Sequence, residues 1–253
     1  MKITRRHWLR AALYGAPVAL AVNAFGLEPN WLRVRTVRMT EGAPKLRLLQ
    51  FTDVHFKGDT DFLESVVNRI NALAPDLVCF TGDLIEESEW LQPALKIIAK
   101  IKAPMFGIPG NHDHWSGASF APIKECFQKT GGQWLMNERV DLPKLGLNII
   151  GVDRMPATFP PVAGCKNIML VHYPEWADKL GEARYDLVLA GHTHGGQVRV
   201  PFYGPLIVPF STGRYDMGRF ETKSGPLYVN PGIGSFYLDV RFNCRPELTV
   251  FEL

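Results

Sequence analysis

Five short motifs follow one another along this chain of 253 residues: Asp53-Val54-His55, Gly82-Asp83, Gly110-Asn111-His112-Asp113, Val171-His172 and Gly191-His192-Thr193-His194. No other feature constrains the fold as strongly. Most of these motifs close an apolar run, as when a buried strand hands a polar side chain to the loop at its carboxyl end. Asp53, His55, Asp83, Asn111, His172, His192 and His194 supply seven oxygen or nitrogen donors, enough for two metal ions. A globular chain has little structural use for so many such residues at strand ends. The remaining group, His112, stands beside Asn111 and is placed to act as a general acid.

The residue types fit a definite chemistry. Two divalent ions about 3.5–4 Å apart can hold both the attacking and the leaving oxygen of a phosphoryl transfer. A carboxylate with two oxygens can bridge such a pair, and Asp83, a single Asp after a Gly at the end of an apolar run, is the best placed to do so. Imidazole and carboxylate suit Mn, Zn, Fe or Co, and the absence of a Cys ligand argues against a soft or structural zinc site. His192 and His194 alternate by two, so on an extended segment they would face one side. His172 alone would more often be structural; its place after an apolar strand makes it a ligand candidate.

The pattern between the motifs is that of an α/β chain. Leu46 to Thr52, Leu77 to Thr81 and Pro104 to Ile108 read as strands delivering Asp53, Asp83 and Asn111. Asp61 is expected to cap a helix with Phe62, Leu63, Val66, Val67, Ile70 and Leu73 on one face, ended by Pro75. A second helix is expected from about Trp90 to Lys102 and a third from Ala118 to Thr130. Strand, helix, strand, helix, strand predicts parallel pairing. Leu147 to Val152, Asn167 to Val171 and Tyr185 to Ala190 are further strands. After Gly195, short stretches at Gln197–Val200, Leu206–Val208, Pro226–Val229 and Leu248–Leu253 read as antiparallel strands. The expected whole is two mixed β-sheets packed as a sandwich, flanked by helices, with the ligands at one edge.

The five motifs in this order resemble the calcineurin-like metallophosphoesterase family, whose pattern is DxH, GD, GNH[DE], H and GHxH. The resemblance spans Asp53 to His194 and is specific as a set. It implies that Asp53, His55 and His194 hold one metal, that Asn111, His172 and His192 hold the second, and that Asp83 bridges them. It further implies that His112 protonates the leaving group or stabilises charge on the phosphate, and that a metal-bridging hydroxide attacks phosphorus. Gly195-Gly196-Gln197 and Val240 to Glu247 are similar to the small bacterial branch of phosphodiesterases often exported by the twin-arginine route. Relatives of that branch resemble hydrolases of UDP-2,3-diacylglucosamine, so a nucleotide-sugar lipid pyrophosphatase of envelope synthesis is one reading. A non-catalytic metal-binding scaffold is another, disfavoured because every ligand position is kept. The phosphate-gripping Arg of protein phosphatases is missing after Gly82-Asp83. Glu86 stands where relatives often have an Asp that orients the catalytic His, and Asn230-Pro231-Gly232 has Pro where relatives commonly have Arg.

The first residues read as a targeting segment. Thr4-Arg5-Arg6-His7-Trp8-Leu9-Arg10 matches a twin-arginine pattern, an apolar run follows from Ala11 to about Leu27, and Val22-Asn23-Ala24 offers a cleavage point after Ala24. The expected organisation is a signal or anchor over 1–27, a linker over 28–43 and a single domain over 44–253. This places the mature protein in the periplasm or on the outer face of the cytoplasmic membrane, with the twin-arginine machinery as a partner. The net charge of +3 comes from the signal: without Lys2, Arg5, Arg6 and Arg10, 24 of the 28 basic residues face 25 acidic ones, a net of −1. Nucleic acid is therefore not an expected partner. The expected substrate is a phosphate ester, with lipid-linked esters and membrane association among the readings. Trp31, Leu32, Arg33, Arg35 and Arg38 form a basic, apolar stretch that suits either anionic lipid or a solvated strand edge. Phe202, Tyr203, Phe210 and Tyr215 suit either a groove wall or packing. Cys79, Cys126, Cys165 and Cys244 have no pairing deducible from sequence.

Overall fold

A computed structural model describes residues 4–155 and 159–253. Helix α1 (Arg5–Val22) carries the expected signal. Lys2, and the side chains of Arg6, His7, Trp8, Leu9 and Arg10, lie outside the described residues. No described helix is long and apolar enough to cross a membrane. Strand β1 (Arg33–Arg38) follows, and then β2 (Arg47–Phe51), α2 (Thr60–Leu73), β3 (Leu77–Phe80), α3 (Leu91–Ile98) and β4 (Met105–Gly107). Next come the short α4 (Asn111–Trp115), α5 (Ala121–Lys129) and β5 (Gln133–Trp134). The second half holds β6 (Glu138–Leu142), β7 (Leu147–Val152), β8 (Lys166–Val171) and β9 (Leu187–Ala190). It ends with β10 (Arg199–Val200), β11 (Gly204–Pro205), β12 (Gly218–Thr222), β13 (Gly225–Val229) and β14 (Glu247–Glu252).

Two six-stranded mixed sheets face each other, ordered β1-β14-β2-β3-β4-β5 and β12-β13-β9-β8-β7-β6. Strands β2 to β5 pair in parallel, as do β7, β8, β9 and β13. The layer between the sheets is apolar: Leu48, Leu77, Phe106 and Phe251 from one meet Ile149, Ile168, Leu170 and Leu189 from the other. The outer face of the first sheet, with Leu49, Phe51, Val78 and Phe80, lies under α2, α3 and α5. Helices therefore flank the first sheet as expected. The outer face of the second sheet is closed by the turn Pro174–Asp178 and by Tyr215.

Four local expectations change in whole or in part. The cap of α2 is Asp59, whose carboxylate accepts the Phe62 N–H at 3.0 Å; Asp61 lies inside the first turn. Part of the stretch expected as a linker, 28–43, is built into the sandwich. Its strand β1 pairs in parallel with β14, Val34 packs towards the helices and Val37 towards the inter-sheet layer, and the Arg33 Nε donates to buried Glu247 at 3.0 Å. Leu206–Val208 forms no strand, because Pro205 and Pro209 bracket it and remove donors a ladder would need. The later strands pair antiparallel as expected in β10–β11, β12–β13 and β14–β2, but β13 also runs parallel to β9 and β14 parallel to β1.

Candidate metal centre

The topology gathers the motifs. Parallel strands β2, β3 and β4 lie side by side, so Asp53 with His55, Asp83, and Asn111 with His112 emerge at one edge. Strands β8 and β9 bring His172 and the His192–His194 loop to the same edge of the facing sheet. Glycine makes the approach possible. A Cβ on Gly110 would collide with the Asp83 carboxylate, and one on Gly191 with Thr52 and Asp53. Asp53, His55, Asp83, His192 and His194 all have positive φ, from 44° to 72°. His192 and His194 thus do not lie on an extended segment. Their left-handed backbone aims each ring separately.

All eight expected residues meet, and all are buried. Around one point, the His194 Nε2 faces the His55 Nε2 at 2.9 Å, and the Asp53 Oδ1 lies 3.5 Å from the His194 Nε2 and 3.8 Å from the His55 Nε2. Around a second, the His172 Nε2 faces the His192 Nδ1 at 3.2 Å and the Asn111 Oδ1 at 3.0 Å. The Asp83 Oδ2 looks at both, 3.5 Å from the His55 Nε2 and 3.2 Å from the His172 Nε2. Facing ring nitrogens whose rings both spend their N–H on an outward partner bring lone pair against lone pair, and such a pair makes a good ligand cage.

The outward ring nitrogens support that use. The His55 Nδ1 is 2.6 Å from Glu86, the His172 Nδ1 2.8 Å from the Thr81 carbonyl, and the His192 Nε2 2.7 Å from the Phe210 carbonyl. If each outward N–H donates to these acceptors, the inner nitrogen keeps its lone pair, as in most metal-bound histidines. The His194 Nδ1 is the exception and has no partner among the described residues. These donors fit divalent cations. His55, His112 and Asp83 also form a tight donor group.

Glu86 holds two histidines at once. One carboxylate oxygen meets the His55 Nδ1, and the other meets the His112 Nδ1 at 2.8 Å. The His112 Nε2 is left for the open side. The main-chain N–H of His112 donates to the Asp83 Oδ1 at 2.7 Å, which ties acid and carboxylate together.

The charges act as a cation trap. Burial alone would lower both His55 and His172. Contacts with Asp53 and Glu86 instead raise His55 to about 10, and Asp83 raises His172 to about 9. Burial holds His192 down at about 4 and His194 at about 3. Burial works against Glu86 too, yet His112 and His55 keep its carboxyl well below the usual range.

Two supports were given no role by the motif reading. Asp113, the last residue of the Gly110 motif, accepts the backbone N–H groups of Asp83, Leu84 and Gly110 at 2.8, 2.8 and 2.9 Å, clasping two motif loops. Its place three residues after Gly110 is a capping-box position, the one signal that could have found it. Buried Arg241 donates to the carbonyls of Pro231, Gly232, Gly234 and Cys244. That loop in turn donates the Gly234 N–H to the Asp53 carbonyl at 2.7 Å. Arg241 lies in the Val240 to Glu247 stretch marked by resemblance, but nothing in the sequence assigns it this role. His114 bonds Asp153 at 2.6 Å and stands aside from the cluster.

A groove of about 590 Å³ opens on the cluster, between Trp115, Leu206 to Phe210 and Phe236 to Leu238. Of the four aromatics singled out in sequence, Phe210 lines it. Tyr215 is buried in the second sheet's outer core, and Phe202 and Tyr203 edge a separate hollow by β10 and β11. A larger hollow of about 740 Å³ beside α2, α3 and α5 contains none of the cluster residues.

Known proteins share this pattern. Residues 46–196 match the family model of the calcineurin-like phosphoesterases. The chain is 32% identical to the uncharacterized metallophosphoesterase YkuE of Bacillus subtilis, over 100% of this chain and 98% of the relative. It is 30% identical to the phosphodiesterase YaeI of Escherichia coli, over 99% of each. It is 27% identical to the UDP-2,3-diacylglucosamine pyrophosphatase LpxG of Chlamydia trachomatis, over 95% and 94%. With its His, Asp and Asn cluster at the shared edge of two sheets, the chain belongs to the calcineurin-like phosphoesterase family and is a metal-dependent hydrolase of phosphoesters.

Proposed function

We propose that the chain hydrolyses phosphodiester or pyrophosphate bonds at a centre of two divalent ions. Asp53, His55 and His194 would hold one, and Asn111, His172 and His192 the other, with Asp83 shared. The observation that carries this reading is the single Asp83 oxygen facing both His55 and His172. Bound ions would neutralise phosphoryl charge and make water acidic enough to ionise at neutral pH. The chain supplies the rest. One P–O bond forms from water, the ester P–O bond breaks, and the His112 Nε2 gives its proton to the departing oxygen. Glu86, bonded to the other nitrogen, orients that ring.

Diester and pyrophosphate chemistry is supported by the names of YaeI and LpxG. The apolar groove favours, as a second reading, a nucleotide-lipid pyrophosphate like the one LpxG is named for. The motif around Arg5 and Arg6 supports export by the twin-arginine route to the outer face of the cytoplasmic membrane. Loss of export in an Arg5→Lys, Arg6→Lys double variant tests that, by fractionation.

The test of activity is hydrolysis of bis(p-nitrophenyl) phosphate against p-nitrophenyl phosphate. Metal-stripped protein is resupplied with Mn, Zn, Fe or Co singly. Diester cleavage restored with two ions per chain is expected. Full activity with one ion bound would overturn the paired centre, and preference for the monoester would overturn the diesterase reading.

A further inference from the structure

The groove beside the cluster has an unusual lining. It runs from His112 and His192 past Trp115, Leu206, Ile207, Phe210, Tyr237 and Leu238, and among the described residues its walls contain no Lys, Arg or Glu. Asp83, a member of the cluster, is the only carboxylate among the described residues that line it. Its rim is exposed: Ile207 by 79%, Leu238 by 64% and Tyr237 by 85%. Away from the cluster, the groove walls offer no charged side chain to a polar arm, whereas large apolar side chains gathered at one mouth mark a binding surface. The volume is that of a ligand site.

The rim also continues onto another apolar surface. Val240 lines the groove, and the next residue, Arg241, donates its main-chain N–H to the Ala24 carbonyl at 2.9 Å. The Asn23 side chain bonds Glu28, whose buried carboxylate accepts the Cys244 N–H. The end of α1 is thereby fastened to the segment that leaves the groove wall. Phe25 and Leu27 lie exposed there, and α1 exposes Leu13, Val18, Leu20 and Val22 above them.

Resting on the diesterase reading, we infer that the substrate is an amphiphile: one arm of its phosphodiester or pyrophosphate is a long alkyl or acyl chain that lies in the groove lined by Leu206 to Phe210 and Phe236 to Leu238. The reacting phosphorus then sits at the groove's inner end, within reach of His112, and the polar arm leaves on the side away from Ile207 and Leu238. The apolar face at the end of α1 puts the chain's entrance on the surface that would meet lipid.

The experiment uses the full, metal-loaded chain and p-nitrophenyl alkyl phosphodiesters with methyl, butyl and octyl arms, each below its aggregation concentration. The wild-type kcat/KM is expected to rise about twofold to fourfold per methylene until the groove is full. An Ile207→Ser, Leu238→Ser variant, altered only at exposed positions, is read relative to its own methyl ester and is expected to lose most of that slope. A flat wild-type series with the methyl ester cleaved overturns the alkyl groove and leaves the diesterase reading standing. A thymidine ester faster than the octyl ester overturns it in favour of a nucleoside. No cleavage of any ester with any metal removes the underlying reading as well. A hexadecyl ester in phosphatidylcholine vesicles distinguishes the sources. Turnover above that of the monomeric octyl ester identifies a membrane lipid, and turnover below it a soluble amphiphile, both with the chain in the groove.

Discussion

Replacing Glu86 by Gln removes one charge and changes almost no volume, so its effect isolates what the carboxylate does. Two oxygens now accept from two rings, at 2.6 Å from the His55 Nδ1 and 2.8 Å from the His112 Nδ1. An amide has one oxygen, and its NH2 must face the other ring. If it faces His55, that ring has to present a lone pair at Nδ1, which puts a proton on the nitrogen turned to the cluster and weakens metal binding. If it faces His112, the ring keeps a proton on Nε2 but exchanges its bond to a carboxylate for a weaker one to a neutral amide. Hydrogen bonds to charged groups contribute about 1.5–3 kcal/mol, which is about 10- to 100-fold. Loss of a partner to a metal-bound His is of the same size, about 10- to 100-fold in affinity. Glu86→Gln is therefore expected to lower kcat, metal affinity or both by about 10- to 100-fold. Metal titration followed by saturating-metal kinetics separates the two. In a His112→Ala background the kcat part should vanish, because Glu86 then has no acid to hold. Wild-type kcat and metal affinity in Glu86→Gln would refute the argument, as would a full kcat loss on top of His112→Ala.

Three further outcomes follow from the same geometry. His112→Ala is expected to lower turnover by about 10²–10⁴-fold while metal content measured by atomic emission stays that of the wild type; unchanged turnover would remove the acid role. At pH 7.5 the metal-free cluster holds protons on His55 and His172, raised to about 10 and about 9, so loading is expected to release about two protons per chain. Because those folded-state values lie above the unfolded value near 6.5, their contribution to metal-free stability is complete below about pH 6.5. It fades as pH rises through 9 to 10. Release of no protons in a weakly buffered titration would contradict this. Gly232→Ala forces a side chain onto a backbone with φ of 74° and sets its Cβ 2.7 Å from that of Asp53. The expected loss is about 2 kcal/mol, or a Tm lower by about 4–8 °C, with weakened binding of one ion; a wild-type melt would refute it.

The residues that gather in the cluster were legible in the sequence because each is a local event. Leu77 to Thr81 is a continuous apolar run that ends at Gly82-Asp83, and that pattern identifies both a buried strand and the residue it presents. Parallel order followed from the helices between the strands. What was not legible depends on distant partners. Val34 and Val37 alternate too weakly to announce a strand, and β1 forms because β14 offers a free edge and Glu247 a buried partner for Arg33. The stretch around Arg241 was marked by resemblance, but its role shows only when four carbonyls close around it. The two histidines of the last motif were expected to share a face by strand alternation. They share a site through left-handed backbone, which sequence spacing does not encode.

That left-handed backbone says what holds the site in shape. Five ligand positions that are not glycine carry positive φ, at about 1 kcal/mol or more apiece, a sum comparable with the net stability of a whole domain. Such strain persists only where the surroundings over-determine it. Here the surroundings are main-chain bonds of the sandwich: the Asp53 N–H to the Gly82 carbonyl at 2.9 Å, the His55 N–H to the Asp83 carbonyl at 3.1 Å, and the Gly191 N–H to the His172 carbonyl at 3.2 Å. Each link joins one ligand loop to the next across neighbouring strands. The cage is therefore a property of the two sheets' shared edge. Side chains that would repel or waste hydrogen bonds in any relaxed arrangement are kept aimed at two points, and a cation is what relieves them.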